Sequence, residues 1–248
     1  MENKESKESP EDKSLIKRQA LACIIGHTLG DVLGAYCERK TEIDIDEVMS
    51  MPGGGVYQIQ CGQVTDDTEL SITLSRALLK CGKKFNLTII AQGYYEWLKS
   101  ECFDIGTCTH TLLQEAPNVD AMKRKAKEYD LQCAKDFNSE GNLANGSLMR
   151  CIPLAIYGHQ LDHDTLYLLC KSEAELTHHN TINFLVVTSY AIMILYLIQS
   201  QPSDSTRNEK AYDTMEKLLQ QIKLCGDTEQ VCLHNFIFFF LVWTTKIW

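Results

Sequence analysis

An all-α architecture, a helical bundle organised as a single domain, is what this sequence predicts, on three observations. Apolar residues recur at steps of three and four through most of the chain. No stretch sustains the period-two alternation of a half-buried strand. The connections between the periodic segments are polar or contain glycine. Residues 1–13, charged and without an apolar centre, read as a disordered tail that carries no secretory signal, and 14–248 as the domain.

The first helical pattern, 14–38, is apolar from Leu15 to Tyr36, with Gly26, Gly30 and Gly34 at four-residue steps. Asp31 and Glu38, seven apart, fall on nearly one face. Each helix-interior glycine costs about 1 kcal/mol relative to Ala, so the stripe calls for close approach of another backbone or a ligand, or else for tight helix packing. The second pattern, 66–81, opens on Thr65-Asp66-Asp67-Thr68 and continues through Leu70, Ile72, Leu74, Ala77 and Leu78. Further patterns cover 86–99, 107–115 and 119–134, the last with a short basic run, 123–127, that reads as a solvated face beside Glu128 and Asp130. Patterns at 147–158, 162–175, 180–199, 208–224 and 228–245 complete the order, with 201–207 the clearest surface loop. Residues 181–198 carry no charge, but Asn183, Thr188 and Ser189 dilute them, and a buried core helix is expected there rather than a membrane span. The Phe-rich stretch 236–243 is a solubility liability if left uncovered.

The net charge of −9 and pI near 5.3, with no basic stripe among aromatics, exclude general affinity for nucleic acid. The 11 cysteines are scattered, with no Cys-x-x-Cys pair. Free cysteines in apolar stretches behave as small hydrophobes, so a reducing, cytoplasmic setting is expected. A monomer without membrane attachment is expected alongside it.

Three polar constellations carry chemistry. Thr65, Asp66 and Asp67 set hard oxygen donors side by side, behind Gly53-Gly54-Gly55 and Gly62, and such donors suit Mg²⁺ or Mn²⁺. The same residues also suit an ordinary helix start, where a Thr caps orphan amides and acids complement the dipole. Gly141, Asn142, Leu143, Ala144, Asn145, Gly146 and Ser147, followed by Leu148-Met149-Arg150, form a small-residue loop before a helical pattern. That segment is either a turn or a backbone cradle for an anion. Thr177-His178-His179-Asn180 precedes the uncharged helix, as a cap or as a contact group.

In order and spacing, these motifs resemble the ADP-ribosylglycohydrolase family: Gly26-x-x-x-Gly30-Asp31-x-x-Gly34-x-x-x-Glu38, Pro52-Gly53-Gly54-Gly55, Gly62-Gln63-x-Thr65-Asp66-Asp67-Thr68, Asn145-Gly146-Ser147-Leu148-Met149-Arg150 and Thr177-His178. The similarity runs from about residue 15 to about 198 and is strongest to the branch containing the dinitrogenase reductase-activating glycohydrolases and their eukaryotic relatives. It implies an all-α fold with a two-metal Mg²⁺ or Mn²⁺ centre that hydrolyses the bond between ADP-ribose and a protein side chain or a similar acceptor. Thr65, Asp66 and Asp67 then match one half of the metal site. Glu38 matches a glutamate that covers the scissile ribose or assists the chemistry, the 141–147 segment matches the loop around diphosphate and ribose, and His178 matches a substrate-contacting histidine. Ala144 stands where relatives often have Gly.

One departure weakens that expectation. Relatives supply the other half of the metal centre from a late Asp-x-Asp-Thr motif, and Asp227-Thr228 within Cys225-Gly226-Asp227-Thr228-Glu229-Gln230 is its only echo here. A truncated or alternatively ended product, holding one weak ion at best, is therefore expected; Asp227-Thr228 reads first as a loop and helix start, and Asp227 second as a candidate ligand. An ADP-ribose-binding relative of impaired activity is the competing expectation.

Overall fold

The computed structural model describes residues 9–136 and 141–223. Among them the secondary structure is helical: α1 (Pro10–Cys37), α2 (Ile45–Met49), α3 (Asp66–Cys81), α4 (Leu87–Lys99), α5 (Thr107–Leu113), α6 (Val119–Asp136), a 3₁₀ turn (Asn145–Ser147), α7 (Ile152–Tyr157), α8 (His163–Ala174), α9 (Thr181–Gln199) and α10 (Arg207–Lys223). The single extended pairing among these residues is a bridge between Gly54 and Ile59. The all-α expectation therefore holds.

Local sequence explains where most helices start. Asn86, Asp162 and Asn180 each place a side-chain oxygen on amides one turn into α4, α8 and α9, satisfying donors that a helix leaves unpaired. Helix α1 begins four residues earlier than its apolar pattern, so the tail expected over 1–13 gives way to helix at Pro10. The cause is a reciprocal cap, in which Ser9 accepts from the Asp12 amide and the Asp12 carboxylate accepts from Ser9.

Two further expectations are corrected. Residues 147–158 do not form one helix, because Pro153 cannot sit in a helix interior. The chain turns through Asn145–Ser147 and restarts with Pro153 in the first turn of α7. The short α2, capped by Asp44, escaped the periodicity because five residues hold barely more than one turn. The helix expected at 228–245 and Asp227 lie outside the described residues.

The core is built around α9, which packs against α1, α7, α8 and α10, while α3 packs on α4 and α7. Val187, Ala191, Ile192, Ile194, Leu195 and Ile198 of α9 meet Leu70 and Leu74 of α3, Ile90 and Tyr94 of α4 and Leu166 of α8 in one cluster. Both α9 and α1 are long and apolar enough to cross a membrane by composition. The buried residues around most of α9 identify it as a core helix, the reading expected from its polar positions. A smaller cluster of Leu33, Ala35, Tyr36, Val48 and Ile59 joins the end of α1 to the loop that carries Gly53-Gly54-Gly55.

That glycine run is a tight turn rather than a flexible hinge: Gly54 and Ile59 exchange backbone hydrogen bonds of 2.7 and 2.9 Å. The stripe on α1 is likewise not uniformly a close-approach surface, since a Cβ on Gly26 would meet nothing within 4 Å.

Candidate active site

The start of α3 is not capped by its own Thr65. The Thr65 side chain caps no amide, and its hydroxyl instead donates to Asp31 Oδ1 at 2.6 Å. Asp31 Oδ2 accepts from the Thr65 and Thr68 amides at 2.9 and 3.2 Å. A buried carboxylate of α1 thus performs the capping, and the Thr65 oxygen, its proton committed to Asp31, keeps its lone pairs for another partner. The alternative in which Thr65 caps the helix is thereby excluded. Asp31 was legible only as the residue sharing a face with Glu38, because its partner lies 34 positions away.

Asp66 is buried, and its Oδ2 accepts from the Gly106 amide at 3.0 Å. Asp67 is half-buried, and its backbone carbonyl is met by His27 Nε2 at 3.2 Å. Glu38, exposed at the end of α1, accepts from the Tyr57 hydroxyl at 2.9 Å. Burial pushes the Asp66 carboxyl up to about 6, with Asp104 and Asp31 adding to it against the Gly106 hydrogen bond. Burial pushes Asp67 higher, to about 8, and Asp31, Asp66, Asp104 and Glu38 all raise it further. Asp104, on the segment before α5, is raised by burial and by the same acidic field. That residue was missed by sequence reasoning, for it belongs to no motif. None of these carboxylates enters an ion pair among the described residues.

Two carboxylates and a hydroxyl that repel added negative charge fit a hard divalent cation. They do not by themselves complete a two-ion centre. Among the described residues no three His, Cys, Asp or Glu groups converge on one ion position. Thr68 Oγ1, beside them, is buried without a hydrogen-bond partner among the described residues.

The 141–147 loop is held from three sides and by one bond of its own. Asp130 of α6 accepts from the Asn142 amide at 2.8 Å, and Asn183 of α9 donates to the Asn142 carbonyl at 2.9 Å. The Asn142 side chain donates to Cys108 Sγ at 3.2 Å and accepts from the Ala144 amide at 3.2 Å. Asp130 therefore does not belong to a purely solvated face, as its basic neighbours suggested. Gly141 adopts φ +110°, a conformation costly for any residue with a Cβ. Gly146 is closed in from two directions: a Cβ would stand 2.9 Å from Thr109 Oγ1 and 3.0 Å from His178 Cε1. Gly146→Ala is accordingly expected to cost about 1–3 kcal/mol by overpacking, measured as a shift in the denaturant midpoint.

His178 is fully buried behind this loop, so it presents its ring to Gly146 and not to solvent. Burial and the neighbouring Arg150 hold its pKa down at about 3, which keeps the imidazole neutral. Ser147 Oγ is buried and unpartnered among the described residues. Leu143 and Ala144 are half-buried and Asn145 is exposed.

Helix α5 connects the two groups. Gly106, at its start, binds Asp66, Cys108 receives Asn142, and Thr109 packs on Gly146. Three residues of helix advance about 4.5 Å, so the acidic cluster and the loop meet α5 about one turn apart.

An all-helical fold with an acidic cluster at one helix start and a glycine- and asparagine-rich loop beside it defines the class. The profile of ADP-ribosylglycohydrolases matches residues 12–236, and the chain belongs to the ADP-ribosylglycohydrolase family. It is 31% identical over 198 residues to the ADP-ribosyl-[dinitrogen reductase] glycohydrolase of Rhodospirillum rubrum, covering 77% of this chain and 62% of that protein. It is 26% identical over 212 residues to the ADP-ribosylhydrolase ARH3 of Gallus gallus, covering 79% of this chain and 54% of that one. A solved ADP-ribosylglycohydrolase-related protein complex shares the fold at a TM-score of 0.54 and 24% identity, over 74% of this chain and 58% of the other. The chain thus spans somewhat over half the length of these relatives.

Proposed function

We propose that the protein is a divalent-metal-dependent hydrolase that removes ADP-ribose from modified protein side chains, or from a small molecule carrying ADP-ribose. The observation that carries this reading is the joining, through α5, of the Thr65-Asp66-Asp67 oxygen cluster to the 141–147 loop in a chain of this family. Thr65, Asp66 and Asp67 would hold Mg²⁺ or Mn²⁺, and a bound ion would supply Lewis-acid polarisation of water and sugar hydroxyls.

The chain's own residues divide the remaining work. The Asn142 and Ala144 amides are taken up by Asp130 and the Asn142 side chain and hold the loop in shape, so the backbone amides of Leu143, Asn145 and Gly146 and the Ser147 hydroxyl are the donors that receive the diphosphate and ribose, with Gly141 giving the loop its turn. His178 backs the loop as a neutral ring. Water attacks the anomeric carbon, the bond to the acceptor breaks, and the proton released by the water is taken by Asp67 or Glu38 and passed to the departing group. Arginine and serine linkages both fit this chemistry.

A monomer in a reducing cytoplasm accompanies the reading, supported by thiols that serve as core atoms: Cys151 and Cys170 are fully buried, and burial drives both away from ionisation.

The expected result is metal-dependent release of ADP-ribose from arginine- or serine-linked substrates by the 248-residue chain, lost with chelator and in Asp66→Asn with Asp67→Asn. Turnover unchanged in the double variant would remove the proposal. A second reading, an ADP-ribose-binding protein with impaired turnover, is favoured by the small donor set: two carboxylates and one hydroxyl, with one Asp66 oxygen already bound to Gly106. Binding of ADP-ribose without release would select it.

A further inference from the structure

Behind the loop lies a polar network in which every member is fully buried or nearly so. Arg150, with no exposed surface, donates through Nε to Glu173 Oε1 at 2.8 Å, through one terminal nitrogen to the Gly146 carbonyl at 2.9 Å, and through the other to Thr177 Oγ1 at 2.8 Å. Its guanidinium lies over the Tyr94 ring, 4.6 Å from the centroid, and the Tyr94 hydroxyl donates to the same Glu173 oxygen at 2.5 Å. Thr177 Oγ1 stands 2.8 Å from His178 Nδ1.

We infer that Glu173 of α8, acting through Arg150 and Thr177, is a positioning residue for the ADP-ribose loop: it orients the guanidinium that fixes the Gly146 carbonyl and selects the proton position on His178. The inference rests on the reading of the 141–147 loop as the ligand cradle.

The chemistry follows from donor and acceptor capacity. A guanidinium can only donate, so Thr177 Oγ1 accepts from Arg150 and has its single proton free for His178 Nδ1. The neutral imidazole then carries its proton on Nε2, which faces Cys108 Sγ at 3.9 Å. Cys108 in turn receives the Asn142 side chain. Without Glu173 the guanidinium loses the anchor that sets its plane, and the Gly146 carbonyl and Thr177 lose a donor at fixed distance. The carboxylate sits on α8, 23 positions after Arg150, and its hydrogen bonds among the described residues go to Arg150 and Tyr94, outside the loop.

The test is calorimetric titration of free ADP-ribose into the full chain with Mg²⁺ present, together with the ring-nitrogen resonances of His178 and the amide resonance of Gly146. Glu173→Gln and Thr177→Val are expected to weaken ADP-ribose binding by about tenfold or more, Thr177→Ser to restore it, and Thr177→Val to shift the proton on His178 away from Nε2. If Glu173→Gln fails to fold, Thr177→Val decides the matter, because it leaves the ion pair intact. Wild-type affinity in Thr177→Val with unmoved His178 and Gly146 resonances overturns the inference. Failure of the wild type to bind ADP-ribose overturns the functional reading instead, and the resonances then still decide the positioning claim on their own.

Discussion

Arg150→Met is expected to destabilise the protein by about 3–5 kcal/mol, the cost of leaving a buried carboxylate without its counter-charge. For a chain of this size that corresponds to a fall in Tm of roughly 10 °C. Glu173 is as buried as Arg150, and its Oε2 already lacks a partner among the described residues. With the guanidinium gone, the Tyr94 hydroxyl is the one hydrogen-bond donor left on the charge among the described residues, and the Gly146 carbonyl and Thr177 hydroxyl lose donors as well. Pairing Arg150→Met with Glu173→Gln should recover more than half of the loss, since a neutral amide still accepts from Tyr94 and no charge remains buried. Urea denaturation of the two single variants and the double variant measures this. Additive losses in the double variant would show that the two groups do not share one buried ion pair.

Without a divalent cation, Asp67→Asn is expected to be more stable than the wild type at pH 8, by about 2 kcal/mol, with the difference closing near pH 4. Burial and the carboxylates of Asp31, Asp66, Asp104 and Glu38 raise Asp67 to about 8. Between the ordinary carboxylate value and about 8, the folded protein holds a proton that the unfolded chain has released, so stability falls as pH rises through that window. Removing the charge removes that slope, while Asp66, raised to about 6, leaves a shallower one. His178 works in the opposite sense. Its folded value of about 3 lies below the ordinary 6.5, so stability is lost as pH falls from 6.5 toward 3, equally in both proteins. Thermal melts from pH 4 to 8 resolve the two slopes. Mg²⁺ or Mn²⁺ at pH 8 should raise the Tm of the wild type and leave Asp67→Asn little changed. A variant no more stable than the wild type at pH 8 would mean that the acidic field is already screened by solvent.

These two effects differ in how far the sequence discloses them. Thr65, Asp66 and Asp67 stand together in the chain at a helix start, and Gly141 to Ser147 form a continuous polar loop, so both halves of the candidate site could be marked from local pattern. Arg150, in the turn before α7, was visible as the end of a motif, but nothing local pairs it with Glu173 on α8. Asp104 resembles an ordinary surface acid until burial and the acids Glu38, Asp31 and Glu69 come beside it, and Asp130 until the 141–147 loop is folded against it.

Most helix positions were determined by the sequence itself, because the 3.6-residue apolar period and the caps at Asn86, Asp162 and Asn180 act within a turn of the residues they stabilise. Proline chemistry at Pro153 was equally local, and splits the segment that periodicity alone would join. Tertiary structure alone decided which carboxylate caps α3 and which side chains clamp the loop. It also decided that His178 lies wholly inside the protein. The physical reason is that hydrogen bonding and desolvation depend on what arrives in space. Asp31 reaches Thr65 across 34 positions, and Asn183 reaches Asn142 across 41, separations over which no sequence period carries information.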